Sequence, residues 1–138
     1  MAKTYDIFIS HSWTYGNHYD RLIEFLDSDP YFYYRDYSVP KYDPIHNAPN
    51  QAALYEAIKR QIAPVNIVII MAGVYSSYSK WINKEIKIAK TEFFNPKPIL
   101  AVAPWGSERI SQVVRNAADK IVGWNAKSII SGIREISL

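Results

Sequence analysis

Short runs of apolar, often β-branched residues recur at Tyr5–Ser10, Val65–Met71, Ile99–Ala103 and, more weakly, Lys120–Val122. They lack the strict apolar–polar alternation of half-exposed strands, which is the pattern of strands covered on both faces. The intervening segments carry helical spacing instead. Leu22, Phe25 and Leu26 fall at i, i+3, i+4, and Leu54, Ile58 and Ile62 at i, i+4, i+8. The second of these helices has Asn50 as its expected N-cap and Pro64 as its stop. A third helix is expected from Ile82, Ile86 and Ala89, opening near Trp81. A fourth follows from Ile110, Val113, Val114 and Ala117, with Ser107 or Ser111 as cap, and a last from Ile129, Ile133 and Ile136. A further strand is expected at Tyr31–Arg35, where consecutive aromatics supply β propensity. Strand alternating with helix predicts βαβ units with right-handed crossovers, hence a three-layer α/β sandwich around a five-stranded parallel sheet.

Composition narrows the picture. The chain has 138 residues, 49% of them apolar, in the range of one domain spanning 1–138. With no cysteine, disulfides, thiolate metal sites and a cysteine nucleophile are excluded. No cluster of histidines and acids has metal-ligand spacing, so no metal and no bound cofactor are expected. The N-terminal residues do not form a signal peptide, and runs such as Ile67–Ala72 are too short to span a bilayer, so a cytoplasmic, membrane-free protein is expected. The net charge of +3 is spread out. Lys84, Lys87 and Lys90 read as a solvated helix face, not a nucleic-acid footprint. The aromatics concentrated in Tyr31–Tyr42 call for an explanation.

In open parallel sheets, ligands bind outside the carboxyl ends of the strands where strand order reverses. The segments there are Ser10-His11-Ser12-Trp13, the proline-rich loop from Asp36 to Pro49, and Gly73–Ser79. All are rich in hydroxyls and aromatics, which suit a nucleotide-like ligand. Trp81 and Glu85 lie i, i+4 on one helix face, with Glu85 at the margin of the buried stripe. A carboxylate there could stabilise positive charge developing on a ribose ring, or hydrogen-bond sugar hydroxyls. On spacing alone the plainer reading, a surface acid beside a packed indole, is preferred.

Three blocks alter that balance. Tyr5-Asp6-Ile7-Phe8-Ile9-Ser10-His11-Ser12 resembles the opening strand and loop of TIR domains. Asp36 falls where their second strand ends, and Ser76–Ile86 resembles their Ser-x-Trp-x-x-x-Glu segment. In detail the chain resembles small prokaryotic TIR-like domains of the Thoeris ThsB kind. The resemblance implies a flavodoxin-like fold and an NAD⁺ nucleosidase or cyclase that cleaves the nicotinamide–ribose bond. The product would be ADP-ribose or a cyclised or conjugated variant that signals to a separate effector during phage infection. It implies Glu85 as catalytic residue, with NAD⁺ as substrate and self-association as a common feature. Ser10, His11, Asp36, Ser77 and Trp81 are the expected substrate contacts. Tyr37, Tyr42 and His46 could close over a ring, and Asp6 reads as structural. The chain departs from the pattern in its long proline-rich loop and in having His11 and Trp13 where an arginine pair is usual.

The alternative is a non-enzymatic TIR scaffold acting by self-association or partner docking. A deoxyribosyltransferase-like enzyme with a covalent glutamate is a further rival. A phosphoacceptor receiver is rejected, because the third strand ends Met71-Ala72-Gly73 without an aspartate. The five glycines form neither Gly-x-Gly-x-x-Gly nor a P-loop.

Overall fold

The computed structural model describes residues 3–10, 18–38, 50–71, 79–103 and 112–138. The elements run β1 (Thr4–Ser10), α1 (His18–Asp27), β2 (Tyr33–Asp36), α2 (Gln51–Ile62) and β3 (Ile67–Met71). They continue as α3 (Ser79–Thr91), β4 (Ile99–Ala103), α4 (Gln112–Ala117), β5 (Lys120–Gly123) and α5 (Ala126–Ile136). The five strands form one all-parallel sheet in the order β2-β1-β3-β4-β5, the expected flavodoxin-like arrangement. From β1 the chain first crosses to β2 on one side, then turns back over β1 to β3. Right-handed crossovers therefore place α1 on one face and the helices of the later crossovers on the other. The packing agrees: α1 lies against α5, and α2 against α3.

The core is continuous. Every residue of β3 and β4 is buried, as is expected of central strands with helices on both sides. Burying this much branched aliphatic surface is the main stabilising term of the fold. Leu22 and Leu26 of α1, Ile58 and Ile62 of α2, and Ile129 and Ile133 of α5 are wholly covered. Asn50 caps α2 by accepting from the Ala53 N–H at 2.8 Å, as expected. Asn125 caps α5 in the same way through the Ser128 N–H. Ile110, Ser107 and Ser111, expected in or before α4, lie outside the described residues.

β1, β2 and β5 each run one residue past an expected end, and two strands, β2 and β3, start two residues later than expected, which turn chemistry explains. β2 starts at Tyr33 because Tyr31 and Phe32 belong to a turn in which Asp29 accepts from both backbone N–H groups. Phe32 is buried there, stacked on Tyr5 at 5.4 Å and Tyr34 at 5.8 Å between ring centres, with the Arg134 guanidinium above it. That stack accounts for part of the aromatic cluster. β3 starts at Ile67 because Asn66 ties off the edge of β1, its side-chain oxygen accepting from Asp6 N–H at 2.8 Å. Among the described residues no helix is long and apolar enough to cross a membrane.

Candidate functional site

The sequence of strands reverses direction between β1 and β3, whose carboxyl ends are Ser10 and Met71. Ser10 pairs with Ile70 across the ladder. Tyr5 packs on Phe32, on the side of α5, where Arg134 lies over the Phe32 ring. Side chains alternate along a strand, so Tyr5, Ile7 and Ile9 share that face and Asp6, Phe8 and Ser10 point to the opposite one. Ser10 therefore faces the layer of α2 and α3.

Glu85 lies in that layer. It is the seventh residue of α3, so about 9 Å along the axis from the residue at which the helix starts. Its exposure is 0%, and among the described residues the buried polar or charged side chains are Ser10 and Glu85. The inward stripe of α3 reads Ile82, Glu85, Ile88, Ala89, all buried, whereas Ile86 is half-buried. Glu85 thus sits within the stripe, not at the margin where the spacing of Ile82, Ile86 and Ala89 placed it. A pattern drawn through apolar residues alone rotates the stripe away from an acid that lies inside it. Fully buried glutamates are rare, since a carboxylate loses strong hydration on burial. Local conflicts of this kind concentrate where a fold carries chemistry.

Asp36, the last residue of β2, is exposed and at the same time holds a compact set of contacts within the protein. It accepts from the Tyr19 hydroxyl, from the Ser38 hydroxyl, and from the Ser38 N–H at 2.8 Å. The Ser38 oxygen in turn accepts from Ile9 N–H at 2.8 Å. Beyond the last β1–β2 pair, Ile7 with Asp36, Tyr37 N–H still reaches Ile7 carbonyl at 2.8 Å. At the next rung the Ser38 hydroxyl takes the place of a backbone carbonyl. Burial, then the hydrogen bond to Asp36 and its charge, push the Tyr19 phenol well above its ordinary range. Ser38 and Tyr19 were not singled out in the sequence. The Asp-x-Ser spacing, a frequent turn signature, was the available signal for Ser38; nothing marked Tyr19.

The remaining candidates divide plainly. His11, Ser77, Tyr42 and His46 lie outside the described residues, as does the Trp81 side chain, although Trp81 falls in the first turn of α3. Tyr37 is half-buried and packs against the core. Asp6 forms an ion pair with Arg35 at 2.6 Å, a structural role as read from the sequence. Lys87 sits over the Tyr55 ring and Lys90 pairs with Asp119 at 2.5 Å, so the lysine row of α3 is partly engaged within the molecule. Among the described residues no group of three or more acids and histidines could hold a metal ion.

No curated relative matches the chain. The family model of the Thoeris protein ThsB, TIR-like domain, matches residues 8–109, more than half of the chain. The matched span opens inside β1, takes in Asp36 and the whole of α3, and closes beyond β4. An all-parallel sheet with its order reversing at Ser10 and an acid buried in α3 is thus joined to an independent match over the same segments, and the chain belongs to the ThsB TIR-like domain family, a TIR protein of Thoeris defence.

Proposed function

We propose that the protein cleaves the nicotinamide–ribose bond of NAD⁺ with Glu85 as its catalytic carboxylate, yielding an ADP-ribose-derived signal, linear or cyclised. The observation that carries this reading is the complete burial of Glu85 in the inward stripe of α3, on the sheet face that Ser10 also addresses. Family membership supports it, since some TIR domains are NADases.

The chemistry follows from charge. As the glycosidic C–N bond breaks, its electron pair leaves with nicotinamide, which departs neutral, and positive charge spreads over the anomeric carbon and ring oxygen. A carboxylate held in low dielectric stabilises that charge more than it would in water. A nucleophile then bonds to the anomeric carbon and loses its proton: water gives ADP-ribose, and an atom of the substrate itself gives a cyclic product. Ser10 serves as a hydroxyl contact for substrate beside this reaction. His11, Ser77 and Trp81 extend the same proposal on the strength of the family motif. Output passes to a separate effector through the diffusible product, and self-association belongs to the same proposal.

The test is chromatography with mass detection of NAD⁺ incubated with purified protein and with lysate of phage-infected cells. Nicotinamide together with a product of ADP-ribose mass indicates hydrolysis, and a product one water lighter indicates cyclisation. If NAD⁺ persists under every condition, the reading falls and docking to a protein partner replaces it.

A further inference from the structure

Asp36, expected to touch substrate, is exposed, and its carboxylate is also tied within the protein. Its partners connect three elements: Tyr19 in α1, Ser38 after β2, and, through Ser38, the backbone of Ile9 in β1. Ile9 immediately precedes Ser10, the last residue of the strand at the topological switch. We propose that Asp36 is a positioning residue: with Ser38 it fixes the end of β1, so that Ser10 is presented to substrate in one orientation.

The physical case rests on the position of the relay. At its carboxyl end β1 has β3 on one side, in register through Ser10 with Ile70. On the other side the regular pairing with β2 stops at Ile7 with Asp36. Three residues of β1 follow that point, and the Ile9 N–H would lose its partner as β2 turns away. The Ser38 hydroxyl fills that need because it donates to Asp36 while accepting from Ile9. A hydroxyl that donates to a carboxylate is polarised and becomes a better acceptor. Asp36 also accepts from the Ser38 N–H, fixing the backbone that carries this hydroxyl, and Tyr19 occupies its second oxygen. Binding sites of this kind need such support, because small displacements of a contact group cost large factors in rate.

This inference rests on the proposed NAD⁺ reaction, and its test keeps the two apart. A double-mutant cycle is built from Asp36→Ala, Ser38→Ala and the pair, with Ser38→Thr as the conservative variant, reading kcat and KM for NAD⁺ and the exchange rate of the Ile9 amide by NMR. Each single variant is expected to raise Ile9 exchange and to lower kcat/KM by about tenfold, chiefly through KM, which is the scale of one charge-assisted hydrogen bond. The pair should be no worse than the worse single, because both substitutions break one chain. Ser38→Thr, which keeps the hydroxyl, should recover most of the loss. Additive losses would overturn the inference and make Asp36 an independent substrate contact. Unchanged Ile9 exchange or unchanged kcat/KM in the variants of an active protein would overturn it alone. Wild-type protein that neither consumes NAD⁺ nor shifts its Ile9 and Ser10 amide signals on NAD⁺ titration would bring down the functional reading and this inference with it.

Discussion

Helices α3 and α5 lie on opposite faces of the same sheet and solve the same packing problem differently. The inward stripe of α5 is Ile129, Ile130, Gly132 and Ile133. The helix comes so close to the sheet that a Cβ on Gly132 would stand 2.9 Å from a Leu100 methyl and 3.3 Å from a Val122 methyl. Every inward position is apolar or absent, as packing alone would select. The stripe of α3 has the same length and comparable burial, but one of its inward positions is Glu85. α5 shows that this fold does not require a carboxylate in a helix stripe. The one in α3 therefore needs another reason, and the proposed reaction supplies it.

Substitutions in the two stripes should separate function from stability. The largest effect is expected from Glu85→Gln, which keeps shape and removes charge: NAD⁺ turnover should drop by at least about 100-fold, the scale of losing one main electrostatic contact to a transition state. In the same variant the denaturation midpoint should stay close to that of wild type, since the amide keeps the side chain's shape and its capacity to hydrogen-bond. A clear drop in that midpoint would show Glu85 to be a structural acid.

In α5 the pattern should invert. Ile133→Ala removes a wholly buried side chain and should cost about 2–5 kcal/mol in urea unfolding, while the folded fraction keeps its turnover. Gly132→Val, which drives two methyls toward Leu100 and Val122, should cost about 1–3 kcal/mol by the same measurement. Wild-type stability in either would mean that α5 is looser against the sheet than its close approach implies.

The smallest expected effect is on pH dependence. Tyr19 and Tyr34 both have phenols raised above the ordinary value of 10.0, by burial first and then by hydrogen bonds to Asp36 and Asp27. In the unfolded chain these groups ionise near pH 10, whereas the folded protein holds them protonated. Their contribution is therefore whole below pH 10 and declines as pH rises above it. Unfolding midpoints measured from pH 9 to 11 should fall in wild type and fall less in Tyr19→Phe; identical slopes would contradict this.

Much of the fold was legible because its signals are local. Buried strands announce themselves as branched apolar runs, and Asn50 and Pro64 bound α2 by chemistry readable within a few residues. The misplaced boundaries came from contacts that no local pattern carries. Asn66 ends a turn by bonding a strand sixty residues away, and Phe32 leaves the strand pattern in the turn at Asp29, where it also stacks on Tyr5. The site was legible in a different way. Glu85 was marked by a motif, yet its depth was hidden because periodicity treats any acid as an outward position. The role argued for Asp36 was hidden further, since it depends on Ser38 reaching Ile9 across two strands. Sequence spacing places a residue on an element, but the partners of a side chain at a sheet end are set by tertiary structure.

On the proposed reaction, Glu85 stands in α3 for chemistry and not for packing. The deciding measurement is nicotinamide release from NAD⁺ by wild-type and Glu85→Gln protein, run side by side in buffer and in phage-infected lysate. Release by wild type alone is expected, from two proteins that unfold at matching midpoints. Equal release by both, or release by neither, would contradict it.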